Sequence, residues 1–255
     1  WNWNTIMKKL ILFTFGLLLI ACDTENALDC FQTSGNIIQK EYDLDGFDKI
    51  TVMQRSQLYI SEGDFAVVLE TGENLLNDID IRIFEGRLVI ENENACNITR
   101  DYGVTKVFVT APNITEIRNS SGLTVISENT LTYPNLTLLS EDLEEEDAFH
   151  IDGDFELDLA VENLAITQNG LSNFFLTGSV TNLDLNFLMG DARFEGRNLT
   201  VENADVYHRG TNDIIINPQQ QLTGSILSTG DIIVVNTPPI LDVEELYTGQ
   251  LIIED

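Results

Sequence analysis

The chain has 255 residues, and its 42 acidic and 13 basic residues give a formal charge of −29. A surface that follows a phosphate backbone needs a basic patch, so this charge excludes nucleic-acid binding. Two histidines and three cysteines are too few for zinc-finger or other metal-rich chemistry. The hydrophobic content of 43% is enough for a core. Few prolines and many Gly, Asn, Asp and Thr residues favour an all-β chain with frequent turns.

Residues 1–21 are predicted to be a signal peptide. Two lysines follow Met7, the more natural start, and precede an apolar run from Leu10 to Leu19. Residues 1–6 then look like upstream sequence. The apolar run is too short to span a bilayer comfortably.

The end of this segment, Leu19-Ile20-Ala21-Cys22, resembles a bacterial lipobox. In that motif the cysteine thiol is diacylated and becomes the new N-terminus, and two lipid chains are enough for stable anchoring. The membrane is therefore an expected partner, reached through Cys22 and a polar tether over residues 22–34. The alternatives are an ordinary secretory peptide that happens to carry Cys22 and a short membrane anchor. The predicted location is the bacterial cell envelope at the outer membrane, on its periplasmic or its surface face.

The other two cysteines are predicted to form a disulfide. With Cys22 lipidated, Cys30 and Cys96 remain in an oxidising compartment. A bridge between them would close the chain from position 30 to position 96 and contribute about 4 kcal/mol on the chain-entropy description. The alternative is two separate buried thiols.

Glycines recur along the C-terminal half at a nearly constant interval. Gly170, Gly190, Gly210, Gly230 and Gly249 are spaced by 20, 20, 20 and 19. The fourth residue after each is apolar, namely Phe174, Phe194, Ile214, Val234 and Ile253. The second residue after each is mostly small or apolar, namely Ser172, Ala192, Asn212, Ile232 and Leu251. Because residues two apart share one face of a strand, each glycine is expected to turn the chain into a short strand with alternate side chains inward.

This period predicts a single-stranded parallel β-helix, or solenoid, over positions 35–255, with coils of about 20 residues. Each coil of a solenoid buries its inner face only against its neighbours, so the repeats must be consecutive, as they are here. Larger, less regular coils are predicted upstream, where apolar runs such as Ile79 to Phe84 and Val104 to Thr110 are separated by turns. The alternative is a separate N-terminal sandwich that packs on a shorter solenoid.

Several short segments, taken in their order along the chain, resemble the putative auto-transporter adhesin, head GIN domain family. They are Phe47-Asp48-Lys49-Ile50, Gly72-Glu73-Asn74-Leu75-Leu76, Gly86-Arg87-Leu88-Val89-Ile90, Leu222-Thr223-Gly224-Ser225-Ile226 and Gly230-Asp231-Ile232. The resemblance covers about residues 35–240 and implies a right-handed β-helix, in lipoproteins and secreted proteins of Bacteroidetes-type bacteria. It carries no catalytic motif. This chain departs from the family pattern near its end, in Val234 to Pro239.

Candidate catalytic groups are sparse, and a non-enzymatic protein is predicted. After Arg118 the basic residues are Arg193, Arg197 and Arg209, which a lyase would need to converge on one proton. Asp191 and Asp231 each follow a coil glycine, two coils and about 10 Å apart, with Thr211 between them. The two histidines are His150 and His208, and His208 precedes the Gly210 turn, where a surface position is expected.

Acidic residues cluster between the upstream coils and the regular repeats. They are Glu141, Asp142, Glu144, Glu145, Glu146, Asp147, Asp152, Asp154, Glu156 and Asp158. Ca²⁺ prefers several hard oxygen ligands, so Glu144, Glu145, Glu146 and Asp147 are a weak candidate for a Ca²⁺ site. The favoured interpretation is a solvated face that blocks edge pairing, and no cofactor is predicted.

Three classes of function are compatible with these features. A rigid repeat body on a lipid tether favours a non-catalytic binding or adhesion module, with a glycan or an envelope protein as partner. The alternatives are a carbohydrate-active β-helix enzyme, either a lyase or a hydrolase, and a structural spacer. Phe174, Phe175 and Phe194 would suit an aromatic sugar platform, although an inward stack is the favoured position for them.

Overall fold

A computed structural model describes residues 33–94, 103–143 and 148–254, which form β-strands and one short 3-10 helix. The first strands are β1 (Ile37–Tyr42), β2 (Lys49–Val52), β3 (Ser56–Glu62) and β4 (Ala66–Gly72), followed by the 3-10 helix (Glu73–Asp78), β5 (Ile79–Phe84) and β6 (Arg87–Asn92). Next come β7 (Thr105–Ala111), β8 (Glu116–Asn119), β9 (Val125–Ser127) and β10 (Asn135–Ser140). Four long strands follow, β11 (Phe155–Gln168), β12 (Phe174–Phe187), β13 (Phe194–His208) and β14 (Ile214–Ile226). The last three are β15 (Ile232–Val234), β16 (Ile240–Glu245) and β17 (Leu251–Ile253).

Strict alternation of buried and accessible side chains explains why these segments are strands. In β7, Val107 and Val109 are fully buried while Lys106 and Phe108 between them are partly exposed. This period of two places every second side chain on one face of a pleated strand. The buried faces join in one hydrophobic cluster that extends from Phe47 to Val234. The all-β prediction is confirmed.

The C-terminal half pairs in parallel at the period predicted from the glycines. Residues 155, 174, 194, 214, 232 and 251 are successive partners, with spacings of 19, 20, 20, 18 and 19. Phe194 and Ile214 are register partners and both are completely buried, as predicted. The rings of Phe155 and Phe174 stack with centroids 4.9 Å apart and an interplanar angle of 7°. Burial of each such side chain is worth about 1.5–3 kcal/mol.

The recurrent glycines are required where successive turns of the backbone touch. A Cβ atom on Gly190 would lie 2.0 Å from the carbonyl oxygen of Gly170, and Gly190 has a φ of +91°. The residue after each glycine forms a hydrogen bond between successive coils. Asp191 N donates to Gly170 O at 3.0 Å, and Thr211 N donates to Gly190 O at 2.9 Å. A side chain at Gly190 would separate backbones that are hydrogen-bonded to each other.

The predicted register holds for three coils and then shifts by two residues. The glycine period predicts Val234 and Ile253 in the column of Ile214. Ile232 and Leu251 occupy those positions instead. The reason is that the coil from position 214 to position 232 is shorter than the two coils before it. Val234 remains buried, but Ile253 is 46% exposed, so its predicted inward position is wrong.

Antiparallel pairs in the N-terminal part make the sheet a mixed one. β1 pairs with β4, β4 with β7, and β5 with β6, all antiparallel. Glu85 and Gly86 join β5 to β6 with φ values of 50° and 76°, as a two-residue hairpin turn requires. The prediction of an uninterrupted parallel β-helix is therefore not met here. The parallel pairs of β2 with β8 and of β3 with β9 connect these strands to the long ones.

Several predictions concern residues outside the described ranges. The signal peptide, most of the 22–34 tether and the three cysteines at positions 22, 30 and 96 are among them, as are Glu144, Glu145, Glu146 and Asp147. Within the described ranges, no helix combines the length and the apolar character that crossing a bilayer requires.

Candidate binding surface

The outer face of the long strands carries side chains in columns, one residue per coil. Asn135, Asn163, Asn182 and Asn203 are successive register partners. From Asn163 onward, each amide nitrogen donates to the amide oxygen of the preceding member, at 2.9, 2.9 and 3.2 Å. Neighbouring strands are about 4.8 Å apart, which lets identical amides join in a ladder. The sequence analysis missed this column, although the intervals between its members follow the lengths of the coils.

A second outer column lies two residues further along the same strands and is acidic. It contains Asp184, Asp205, Thr223 and Asp242 in register. The Thr223 hydroxyl donates to Asp205 Oδ1 at 2.7 Å. Together the two columns form a regular surface of amides, carboxylates and hydroxyls.

The two candidate carboxylates, Asp191 and Asp231, are each hydrogen-bonded to the neighbouring coil. Asp191 accepts a hydrogen bond from the Thr211 hydroxyl at 2.6 Å, as their order in the coils suggested. Asp231 lies in a different column because of the register shift. Its backbone N–H donates to Asp213 Oδ1 at 3.3 Å, and its own Oδ1 accepts from Gln250 N at 2.8 Å. The carboxylates of Asp213 and Asp231 thus each accept a hydrogen bond from the backbone of the next coil.

Of the two histidines, one is exposed and one is buried. His150 is exposed, and its backbone N–H donates to the Ser120 hydroxyl at 2.7 Å. His208 has no accessible surface, so the predicted surface position is wrong. It follows Ala204 and Val206 on the inward face of β13 and is a register partner of Phe187 and Ile226.

The buried imidazole of His208 occupies a corner position that Gln168 fills two coils earlier. Gln168 Oε1 accepts from Gly170 N at 2.8 Å, and its Nε2 donates to Met189 O at 3.2 Å. Neither ring nitrogen of His208 makes a hydrogen bond within the described residues. Burial lowers the pKa of His208, while the backbone of Asn212 and the carboxylates of Asp213 and Asp231 oppose that shift less strongly. The lowered pKa favours the neutral form of the buried ring.

Two of the three arginines of the C-terminal half, Arg193 and Arg197, are bound to carboxylates. Arg193 contacts Glu195 at 3.1 Å and Asp213 at 3.6 Å. Arg197 contacts Glu195 at 3.9 Å and also pairs with Glu254. Arg209 is exposed on the other side of the Gly210 turn, and it does not join this group. The three arginines therefore do not converge on one point.

Three carboxylates of the acidic stretch, those of Glu141, Asp154 and Asp158, are engaged in internal bonds. Arg118 binds Glu141 at 2.5 Å, and Asp154 Oδ1 accepts from the backbone and amide nitrogens of Asn173 at 2.7 and 3.0 Å. Asp158 accepts from two threonine hydroxyls, those of Thr130 and Thr177. Over the described ranges no group of three or more His, Cys, Asp or Glu side chains is placed to hold a metal.

A surface cavity of about 480 Å³ lies beside this stretch. Its lining is Asp142, Phe149, His150, Ile151, Asp152 and Leu171. The Arg118 guanidinium lies 4.3 Å from the Phe149 ring centroid and holds one wall in place. The lining of the cavity thus combines apolar and acidic side chains.

The three phenylalanines considered as a sugar platform separate into two groups. Phe174 and Phe194 are completely buried, and this favoured inward stack is confirmed for them. Phe175 is 42% exposed on the outer face of β12. No platform of three rings is formed.

The amino-acid sequence matches the model of a known family. The family model described as putative auto-transporter adhesin, head GIN domain, matches residues 46–238. This chain belongs to that family. The resemblance seen in the short sequence segments is thereby confirmed. A comparison with curated protein sequences finds no match.

Solved structures share the fold. A putative adhesin from Bacteroides fragilis matches with a TM-score of 0.76 and 17% identity, over 87% of this chain and 99% of its own. A putative lipid binding protein from Parabacteroides distasonis matches with a TM-score of 0.59 and 14% identity, over 86% and 97%. A putative adhesin from Parabacteroides merdae gives a TM-score of 0.55 and 16% identity, over 86% and 98%.

Proposed function

We propose that this protein is a non-catalytic binding module of the adhesion type, held at the bacterial cell envelope. The observation that carries the proposal is the set of outer columns, above all the amide ladder from Asn135 to Asn203. Columns of like side chains present the same hydrogen-bonding groups about every 4.8 Å, over a rigid sheet. Such a surface suits an extended or repetitive partner.

The comparisons support a binding role over a catalytic one. Two of the matching structures are described as putative adhesins and one as a putative lipid binding protein. The groups expected of a lyase or hydrolase are occupied here, since Asp191 and Asp231 bond to neighbouring coils and His208 is buried. A carbohydrate-active enzyme is therefore the less favoured candidate.

A structural spacer is the second competitor. It would need no accessible groups beyond those that keep the protein soluble. The surface cavity beside His150 and the exposed Phe175 favour binding, because exposed apolar groups in an acidic surface are more typical of an interaction site.

The test is an array of glycans and peptidoglycan fragments, probed with the full chain with and without Ca²⁺. We expect retention of ligands without their turnover. Release of unsaturated or reducing sugar ends, lost on changing one specific carboxylate, would contradict the proposal and support the enzyme. Absence of any ligand, together with envelope defects in a deletion strain, would support the spacer.

The Ca²⁺ arm of this array also tests the acidic segment. If Glu144, Glu145, Glu146 and Asp147 hold Ca²⁺, binding should require the ion and should be lost when the three glutamates become glutamine. We expect no such requirement, because a solvated acidic face is the simpler role for these residues.

Anchoring completes the proposal. A diacylated Cys22 would hold the body at the membrane through the 22–34 tether, while its strong negative charge keeps it away from anionic headgroups. We also infer that the strands from β8 to β17 wind as a right-handed parallel β-helix, because connections between parallel strands are almost always right-handed. A crystal structure with left-handed coils would contradict this.

A further inference from the structure

One outer column differs from the polar ones because most of its members are apolar. In register order it contains Glu41, Val68, Phe108, Tyr59, Ile126, Glu156, Phe175, Glu195, Ile215, Ile233 and Ile252. We call this set the apolar column. Its ten strand-to-strand steps span about 48 Å. It crosses from the mixed N-terminal strands to the last strand.

The apolar column is accessible along most of its length. Phe175 is 42% exposed and Ile252 is 38% exposed, while Ile215 is buried at 4%. Tyr59, Phe108 and the other aliphatic members are partly exposed. Contiguous apolar groups on the outside of a sheet mark an interaction site more often than a stability device.

Carboxylates flank the apolar column on both sides. Eight acidic and three basic side chains lie two residues before or after its members along the strands. The acidic ones are Asp43, Glu70, Glu128, Asp154, Asp158, Asp213, Asp231 and Glu254, and the basic ones are Lys106, Arg193 and Arg197. Each basic side chain is already paired with a carboxylate. The surplus charge beside the apolar groups is therefore negative.

Glu156 is a free carboxylate that lies among the apolar members of the column. It is exposed, and it lies in register between Ile126 and Phe175. Among the described residues it has no hydrogen-bond or ion-pair partner, whereas Glu195 on the other side of Phe175 binds Arg193 and Arg197. A free carboxylate next to an exposed aromatic ring is suited to bind a Lys or Arg side chain, because the charged end can pair with the carboxylate while the aliphatic part packs on the ring.

The arrangement of the aromatic rings disfavours a sugar on this column. Tyr59 and Phe108 stack on each other with centroids 4.9 Å apart and an interplanar angle of 17°. Their outer faces turn toward the neighbouring members Ile126 and Val68. The two rings therefore present edges to solvent, whereas a sugar platform presents ring faces. Apolar side chains of a polypeptide can pack on such edges.

We propose that the apolar column binds a basic polypeptide segment of a partner protein. Its Lys or Arg side chains would lie at Glu156 and its apolar side chains on Ile126 and Phe175. This inference rests on the proposed binding function and names the chemistry of one partner. The negative charge that favours a basic segment also repels acidic glycans and acidic proteins.

The test uses fluorescently labelled octapeptides and the full chain, with binding followed by anisotropy. The first peptide alternates Lys and Leu, the second Glu and Leu, and the third Lys and Ser. We expect the Lys–Leu peptide to bind best, with an affinity that falls as salt is added, and the Glu–Leu peptide not to bind. Phe175→Ser and Glu156→Gln should each weaken Lys–Leu binding about fivefold.

Matched controls lie elsewhere on the same surface. Phe84→Ser removes a phenylalanine that is 63% exposed on β5, and Glu202→Gln neutralises an exposed carboxylate on β13. Both should bind the Lys–Leu peptide as wild type does. Equal losses in the control variants, or equal binding of the Lys–Leu and Glu–Leu peptides, would overturn the proposal.

Failure of this proposal is distinguishable from failure of the binding function itself. If an uncharged oligosaccharide binds and Phe175→Ser abolishes it, the column is a glycan site and the basic-segment proposal is wrong. If array ligands bind equally to wild type and both column variants, and no peptide binds, the module functions through another face. In both cases the proposed binding function survives.

Discussion

Phe187 and His208 are register partners on adjacent strands, with ring centroids 6.3 Å apart and an interplanar angle of 69°. The histidine edge thus packs against an aromatic ring inside the core, at the position where Gln168 bridges the same corner two coils earlier. The side chain of His208 is therefore ionisable but lies where water cannot solvate its charged form.

Acid should destabilise the fold through His208. Burial lowers its pKa in the folded state, while the unfolded chain has the ordinary value near 6.5. The unfolded state therefore takes up a proton first, and the free energy of unfolding should fall as the pH drops below about 6.5. Above that pH both states are neutral and this contribution is constant.

Urea unfolding of wild type and His208→Gln, measured from pH 7.5 to pH 5, checks this. Glutamine can bridge the corner as Gln168 does, so the variant should lose less stability than wild type on acidification. His150→Gln is the control, because His150 is exposed. Parallel pH profiles for wild type and His208→Gln would show that His208 does not control the acid response.

The position of His208 also shows what local sequence could and could not predict. The alternation through Ala204 and Val206 places residue 208 inward, but the turn at Arg209-Gly210 suggested a surface position. The strands, the glycine period and the Phe194–Ile214 contact could be predicted, since side-chain parity and coil length are local properties. Antiparallel pairs such as β4 with β7 could not, because alternation does not encode strand direction.

The outer columns can be recognised only when the register between the strands is known. Glu156 and Phe175 are separated by a single coil, yet Tyr59 and Ile126, two other members of their column, are separated by a much longer stretch of chain. Loop lengths in the N-terminal part vary too much for a fixed period to align these residues. In the C-terminal half, the shorter coil from position 214 to position 232 causes the two-residue shift at Ile232.

Ile214→Asp should severely destabilise the protein. Ile214 is completely buried between Phe194 and Ile232, so an aspartate there would be a buried charge with no partner. We expect a loss of roughly 3–5 kcal/mol or failure to fold. Ile240→Asp is the matched control, because Ile240 is 53% exposed on β16, and it should cost little. Similar unfolding midpoints for the two variants would contradict the register.

Gly190→Ala should cost more than a positive φ alone explains. The new Cβ would lie 2.0 Å from Gly170 O, so two hydrogen-bonded coils would have to separate. Gly46→Ala is the control, since Gly46 has a φ of +75° and no atom within 4 Å of the added Cβ. The positive φ alone should lower the free energy of unfolding by about 1–2 kcal/mol in each of the two variants. Equal losses in denaturant unfolding would show that the close approach at Gly190 is not tight.

Cys22→Ser should release the protein from the membrane. If Cys22 is diacylated, the serine variant cannot take up lipid and should appear in a soluble periplasmic or secreted pool. Metabolic labelling with an alkyne fatty acid, followed by fractionation, measures both effects. Cys30→Ser is the control and should still be labelled. Membrane retention of Cys22→Ser equal to that of wild type would exclude lipid anchoring at this residue.

Cys30 and Cys96 are predicted to be linked in the mature protein, and two contacts of described residues are compatible with this prediction. Asn74 Nδ2 donates to Thr33 O at 3.1 Å, and Asn94 Nδ2 donates to Leu75 O at 3.1 Å. Thr33 and Asn94 therefore contact adjacent residues of the 3-10 helix. Cys30 is three residues before Thr33 and Cys96 is two after Asn94, and each residue can span about 3.3–3.6 Å.

Peptide mass spectrometry of unreduced protein should therefore recover a Cys30–Cys96 cross-linked pair. Reduction should lower the free energy of unfolding by about 4 kcal/mol, because the unfolded chain regains the freedom of a long loop. A Cys30→Ser, Cys96→Ser double variant controls for effects of the reductant itself, and its stability should not change when reductant is added. Free thiols at both positions in unreduced protein would mean that the two cysteines are separate, with the contacts at Asn74 and Leu75 holding this region without a covalent link.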